Sequence, residues 1–437
     1  MRCDVAVVGG GLAGLACAVR AAQLGRHAVV LERSAEAAYP CSSRSATGVF
    51  HVAFNPPSLD PAVLEKRVRA ALGPGAREDA LKTLCASARR GLDWLRETAG
   101  ARFARAGDDP AYEFVILPSA VGKLGREREG QGAHSLLCAL EKQLNTLGGR
   151  IERGRVASRL EVREGRCVGL AGDGFELSAA AVVVADGGYQ ADSERLRQRI
   201  SPKPERLVQR NPRTGRGDGL RMVLAAGGAF ADRGGFYGHL QARRALEDDG
   251  LWPYPWLDDL GRAGVVVGPD GQRVGDDEAS GMELANRVAA LSDPASAWVI
   301  CDQRAWDGPG AGKPTSPNPH LERLGCTVLR APTPAALGAA AHLDSAALER
   351  TLSACEAKFR STPYFAIPVA AGITYTLGGI SIDGHSRVLR EDETPIPGLY
   401  AAGSTTGGLE IGERAGYAGG LMKALVTGLH AAEHLCR

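Results

Sequence analysis

The 437-residue chain carries 44% hydrophobic and 23% charged residues, near the globular average, which excludes a largely disordered protein and predicts two or three domains. Lys and Arg total 52 against 50 Asp and Glu, so a net charge of +2 offers neither a basic face for nucleic acid nor an acidic tail. The 57 glycines follow no three-residue period, which excludes a collagen-like fibre and places the excess at tight turns and close backbone approaches. None of the ten cysteines forms a C-x-x-C pair and no Cys/His group has zinc-site spacing, so no metal is expected. Scattered thiols in a chain of this length predict a reducing, cytoplasmic location.

The chain opens on an apolar, β-branched run at residues 3–8, a buried parallel strand by composition, without the basic stretch and apolar core of a secretory signal. The longest uncharged stretch, residues 5–19, is interrupted by Gly9, Gly10, Gly11 and Gly14 and is too short for a membrane span. These glycines fit G-x-G-x-x-G. Leu12 and Ala13 open an Ala-rich helix predicted to run to about residue 24, with Gly25 as its stop. A second strand at residues 27–31 ends in Glu32, 18 positions after Gly14, with Arg33 beside it. Gly9 permits the tight turn, Gly11 lets backbone approach a pyrophosphate, and Gly14 lets helix and strand pack closely. The helix N-terminus attracts the phosphates, and Glu32 accepts hydrogen bonds from ribose hydroxyls. This unit predicts dinucleotide binding; the motif alone does not separate NAD from FAD.

Further on, residues 150–185 alternate short strands with Gly-containing turns, which predicts a β-meander attached to the dinucleotide fold. Trp252-Pro-Tyr-Pro-Trp256 and the Pro-rich residues 308–319 predict irregular or edge structure.

Val182-Val-Val-Ala-Asp-Gly-Gly188 is a strand ending in a Gly pair, and Gly398-Leu-Tyr-Ala-Ala-Gly403 with Ser404-Thr-Thr-Gly-Gly408 precedes a C-terminal helix. Together with Thr214-Gly-Arg-Gly-Asp-Gly-Leu-Arg-Met222, the helical pair at 333–358, Tyr364-Phe-Ala-Ile-Pro-Val369 and Thr376-Leu-Gly-Gly379, this resembles the flavoprotein family of fumarate reductase, succinate dehydrogenase, tricarballylate dehydrogenase and 3-ketosteroid dehydrogenase. The resemblance covers nearly the whole chain. It implies an α/β fold: a Rossmann-like FAD-binding domain over 1–233 and 366–437, with an inserted α+β cap domain at 234–365. It also implies FAD contacts at Ser42, Ser43 and Gly48, with Ser45 a weaker candidate, and at Val156, Asp186, Gly187, Gly403, Gly420 and Leu421. The covalent members attach flavin through a His in the loop around 42–48; here Cys41 and no His before His51 implies noncovalent FAD.

The resemblance implies hydride transfer between the flavin and a C–C or C=C bond next to a carboxylate or carbonyl, with a side chain handling the proton. His239 matches the first family His. Arg414, 11 positions after Gly403, matches the carboxylate-binding Arg; aligned from Gly419-Gly420 instead, Tyr417 takes that place, as in ketosteroid dehydrogenases. Arg414 implies a carboxylate and Tyr417 a carbonyl polarised by a phenol. Tyr375 stands where the family has a second His, and can donate a hydrogen bond without being a cation. The proton-donating Arg is missing after Gly271-Gln-Arg-Val-Gly-Asp-Asp-Glu278, which leaves Arg287 as the nearest candidate and weighs against fumarate reduction itself. His51 reads as a core or loop residue. The resemblance thus implies a tricarballylate dehydrogenase-like enzyme, with a ketosteroid-like dehydrogenase or enone reductase, and an inactive flavin-binding protein, as alternatives. The partners implied are a small-molecule carboxylate or enone and an electron donor or acceptor that the motifs leave open.

Overall fold

Val5, Ala6, Val7 and Val8 are all buried, so the strand Arg2–Val8 (β1) requires cover on both faces. The computed structural model, which describes every residue except 126–127, 232–233, 314 and 411–415, supplies it by placing β1 inside a mostly parallel sheet. Ala28–Glu32 (β2) pairs on one side and Phe175–Val184 (β3) on the other. Arg150–Arg153 extends the sheet beyond β2, Pro395–Ala401 lies beyond β3, and Arg387–Leu389 closes that edge antiparallel. Ala157–Arg163 and Arg166–Gly172 make an antiparallel meander with β3, where the glycine turns predict one.

Helix α1 (Leu12–Gln23) connects β1 to β2. It begins at Gly11, and the N–H of Leu12 donates to Ser43 Oγ at 3.1 Å, so a side chain from a later loop caps the helix. It ends as Gly25 enters the left-handed region at φ +80°. A Cβ at Gly14 would lie 2.0 Å from the carbonyl oxygen of Gly9, so only glycine lets the helix rest on the preceding turn. The last helix, α2 (Gly420–Leu435), packs across α1 with similar closeness. A Cβ at Gly428 would lie 2.4 Å from Ala13 O, and one at Gly403 would lie 2.9 Å from Ala13 Cβ.

The second sheet is built around one long strand and is antiparallel except for the parallel pairing of Val208–Gln209. Val208–Gln209 (β4), Phe236–Ala242 (β5), Trp298–Asp302 and Leu329–Ala331 all pair with Tyr364–Thr376 (β6). The cap is expected at 234–365; in the structure residues 364–376 pair with strands of that region along their length, and residues 208–209 pair with 364–376. Motif spacing marks where the dinucleotide fold resumes, and a strand buried along almost its whole length carries no polar break to show which sheet it serves. A small sheet of Phe230–Ala231, Gly379–Ser381 and Thr406–Gly407 joins the two bodies. The helical pair Pro334–Ala341 and Ser345–Ala354 forms as expected, capped by Thr333 and Asp344. The Trp252–Trp256 segment has no regular structure. Its Pro253 carbonyl accepts from Arg210 Nη2, Gln241 Nε2 and Trp256 Nε1, which seats the segment on β5 and on the residue after β4. Among the described residues, no helix is long and apolar enough to cross a membrane.

Gly428→Val is expected to lower stability by about 1–3 kcal/mol through overpacking against α1. Urea denaturation measures it, and an unchanged midpoint would contradict the contact.

Candidate active site

A cleft of about 850 Å³ opens at the carboxyl ends of β1, β2 and β3, the position where parallel sheets leave room for a ligand. Gly9, Gly11, Leu12 and Ala13 line it from the first turn, and Glu32 and Arg33 from the end of β2. Ser42, Ser43 and Val156 face it, as do Asp186, Gly187 and Gly403. Gly14 stands behind the wall as a packing contact rather than a lining residue. Glu32 is buried and its two oxygens accept from the N–H groups of Gly10 and Ser34, at 3.1 and 2.9 Å. A carboxylate has about four acceptor positions, so capacity for two hydroxyls remains. Arg33 is held at the wall by Asp218 at 2.8 Å. Asp186 accepts from Gly219 N–H at 2.7 Å, and burial pushes its carboxyl up to about 6.

The wall fits a dinucleotide. A Cβ at Gly11 would meet only Ser43 Oγ, at 3.4 Å, and one at Gly187 only Gly215 Cα, at 4.0 Å, so open space lies beside both backbones. Gln190 Oε1 is buried at the same wall with no hydrogen-bond partner, an acceptor that a bound group can satisfy.

A second cavity of about 1090 Å³ continues from the first, because Ser42, Ser43, Ser404 and Ala424 line both. Ser45, Gly48, Gly420 and Leu421 face this second space. So do His239 and Tyr417, while Arg414 lies outside the described residues. On β5 the two-residue strand period puts Tyr237 and His239 on one face. His239 Nδ1 lies 2.5 Å from Asp258 Oδ2, and a carboxylate accepts, so Nδ1 carries the proton. Nε2 then accepts from the Tyr237 hydroxyl at 3.2 Å. The Tyr237 and Tyr417 rings stack with centroids 3.8 Å apart. Tyr417 in turn accepts from the N–H of Gly420, the first residue of α2, at 2.9 Å. A hydrogen-bond chain therefore runs from Tyr237 through His239 to Asp258, with Tyr417, held by the helix terminus, stacked against its first member. Burial lowers the His239 pKa against the opposing pull of Asp258, and pushes the Tyr237 phenol up to about 12. The phenols hold their protons at neutral pH and the imidazole is neutral.

Two expectations change. Tyr375 lines the cavity, but its hydroxyl donates to Glu410 Oε1 at 2.7 Å, so its proton is not offered to a substrate. Glu410 is held by Lys423 at 2.6 Å in a fully buried ion pair. Arg287 lines neither cavity. It lies on the helix Gly281–Ala289, where the i,i+4 pairing with Glu283 at 2.7 Å and a contact with Asp276 at 3.5 Å hold it at the partly exposed flank. His51, read from sequence as a core residue, is buried and also faces the second cavity. Three residues escaped sequence reasoning: Tyr237, Asp258 and Arg210. The period-2 pairing of Tyr237 with His239 was a usable signal. Asp258 and Arg210 arrive from distant segments, and no local pattern marks them.

His51 Nδ1 accepts from Phe54 N–H at 3.0 Å, and burial lowers its pKa to about 4. The unfolded chain takes up this proton first as pH falls, so the stabilisation is full above about 6.5 and is lost between 6.5 and about 4. The loss reaches about 3 kcal/mol. Urea midpoints at pH 7 and 4.5 are expected to diverge less in His51→Gln than in the parent; equal divergence would contradict the assignment.

The sequence signature of the FAD binding domain family spans residues 4–419. The fumarate reductase (cytochrome) of Shewanella frigidimarina is 24% identical over 458 positions, covering 94% of this chain and 73% of that protein. The 4-oxocyclohex-2-ene-1-carboxylate 5-dehydrogenase of Sinomonas cyclohexanicum is 26% identical over 300 positions, covering 59% of this chain and 50% of that one. Among solved structures, the 3-ketosteroid-delta4-(5alpha)-dehydrogenase of Rhodococcus jostii RHA1 superposes with a TM-score of 0.75 at 22% identity, over 100% of this chain and 97% of the other. The open conformation of a flavocytochrome c3 fumarate reductase gives 0.70 at 20% identity, over 100% and 78%. These likenesses establish the fold, an α/β dinucleotide-binding domain with an inserted cap. The chain belongs to the FAD binding domain family and is a FAD-dependent oxidoreductase.

Proposed function

We propose that this protein transfers hydride at a carbon–carbon bond next to a carbonyl or carboxylate, on a small molecule held in the second cavity. The observation that carries this reading is the continuity of the two cavities beside Tyr417 and the Tyr237–His239–Asp258 chain. FAD, when bound, supplies the hydride acceptor or donor. Glu32 would hold the ribose, Gly11 and the α1 N-terminus the pyrophosphate, and Gly420 and Leu421 would present the positive end of α2. Noncovalent attachment is supported by Cys41, whose thiol burial pushes up to about 11, so little thiolate forms to attack a cofactor.

In the oxidative direction Tyr237 O takes the proton from the substrate carbon while its own proton passes to His239 Nε2. The imidazolium formed is paired with Asp258, which offsets the cost of charging a buried ring. In reduction the same proton returns by the reverse path. Tyr417 stands beside Tyr237 as the phenol available to a carbonyl oxygen. That placement favours the enone or ketone alternative over an acyclic dicarboxylate. The Sinomonas and Rhodococcus relatives are, by their names, dehydrogenases of a ring ketone acid and a ketosteroid. Ten unpaired cysteines support a reducing compartment such as the cytoplasm.

Anaerobic addition of saturated ketones and acids is expected to bleach the yellow protein, and unsaturated counterparts to restore the colour. No response in either direction would overturn the reading. His239→Gln is expected to lower the rate of that bleaching by about 10²–10⁴-fold with little change in substrate affinity; a rate within threefold of the parent would remove His239 from the proton path. Gly11→Val is expected to leave the apoprotein's melting unchanged, since open space surrounds that Cβ, and to abolish flavin binding by filling the first cavity. A yellow variant of normal stoichiometry would contradict this.

A further inference from the structure

We propose that Arg210 selects the substrate by binding a carboxylate, and that the body of that substrate is a flat ring seated against the aromatic walls of the second cavity. The inference rests on the reading of that cavity as the substrate site.

Arg210 follows β4 directly, and its N–H donates to Ile373 O on β6 at 2.8 Å, so its backbone is fixed to the cap sheet. Its side chain is 5% exposed and lines the cavity. The path of the side chain depends on a glycine: a Cβ at Gly372 would lie 2.5 Å from Arg210 Cδ and 2.9 Å from Gln241 Cγ. Among the described residues the guanidinium reaches only neutral acceptors. Nη1 donates to Thr374 Oγ1 at 2.7 Å and Nη2 to Pro253 O at 3.3 Å, while the buried Nε has no partner.

A guanidinium has five N–H donors, so most remain for a ligand. No carboxylate among the described residues pairs with it. Asp258, the acid that most influences it, is already engaged by His239 Nδ1 and by the N–H of Leu240 at 2.8 Å. Arg210 therefore differs from Lys423, a buried cation that has Glu410 as its counterion. A buried cation without a counterion is costly unless a ligand supplies the negative charge. The planar fork of arginine matches a carboxylate with two parallel hydrogen bonds. The Trp256 ring lies 5.6 Å from the guanidinium carbon and stacks on His239 at 4.0 Å, so one flat surface joins the proposed anion site to the proton path.

The remaining walls are flat as well. Phe54, Tyr112, Tyr237, Trp252 and Tyr417 face the same space. Aromatic walls bind a planar ring through area and stacking that a short acyclic chain cannot match. The arrangement places recognition of the acid at Arg210 and proton handling at Tyr237 and His239.

The test is calorimetric titration of the FAD-loaded protein with three unreactive probes, with flavin absorbance followed in parallel. Benzoate is the flat anion, benzamide its neutral counterpart, and acetate the anion without a ring. Benzoate is expected to bind at least tenfold more tightly than either of the others. Arg210→Met is expected to weaken benzoate about 100-fold while leaving benzamide within threefold, and Arg210→Lys to recover part of the loss. Parity of benzoate and benzamide on the parent protein would overturn the carboxylate assignment even if the variants fail to fold. Parity of benzoate and acetate would overturn the ring. A flavin perturbation by benzoate that survives unchanged in Arg210→Met would overturn Arg210 alone. Benzoate binding that depends on Arg210 yet leaves the flavin spectrum unmoved would instead overturn the second cavity as the reaction site.

Discussion

The backbone-distance contact between α1 and α2 is the constraint on which both cavities depend. Ala13 sits at the first turn of α1, lines the first cavity, and touches the positions of Gly428 and Gly403 at distances that exclude any side chain there. Ala424, one turn before Gly428, lines both cavities. Moving α2 outward by the width of a methyl group would separate the glycine turn from Gly420 and Tyr417. Interiors pack too densely to absorb such a shift locally, so small residues at three positions hold the two halves of the chain in register.

Buried charge is handled in two different ways within one region. Glu410 and Lys423 are both fully buried, and each is neutralised by the other. Tyr375 and the N–H of Ala418 also donate to Glu410, and Lys423 donates to Thr406 O, which ties the approach to α2 to β6. Breaking such a pair costs about 3–5 kcal/mol, because one partner is left as an uncompensated charge. Among the described residues Arg210 is held only by neutral acceptors. The difference marks the first as scaffold and the second as a site awaiting an anion.

The cap sheet matters because β6 serves both bodies. Its centre carries Gly372 opposite His239, its end carries Thr374 and Tyr375 at the cavity, and the chain turns directly from it into the small joining sheet. Between the pairs Tyr237–Tyr375 and Gly238–Ile373 the register shifts, leaving Thr374 of β6 as the extra residue beside the phenol of the hydrogen-bond chain. A Cβ at Gly238 would lie 1.9 Å from Gly372 O, so the strands approach closely where the site needs them to.

The dinucleotide half of the site was legible in the sequence because its determinants are local. Gly9, Gly11, Gly14 and Glu32 fall within one βαβ unit, and strand, turn and helix each leave a pattern in adjacent residues. His239 and Tyr417 were reached through motif resemblance, and the cavity does contain them. Arg287 misled because spacing along a helix does not say which flank meets solvent, and Tyr375 because a hydrogen-bond donor is spent wherever a buried acceptor reaches it first. By itself the sequence determined the α/β class, the glycine turn and the acid at the end of β2, since these depend on backbone sterics and periodicity. Only the tertiary structure decided which strands pair with Tyr364–Thr376, the pairing of Asp258 with His239 and the lack of a carboxylate partner for Arg210 among the described residues. Those depend on which side chains from distant segments share one buried space, and the free energy of a buried charge is set by its neighbours in space rather than in sequence.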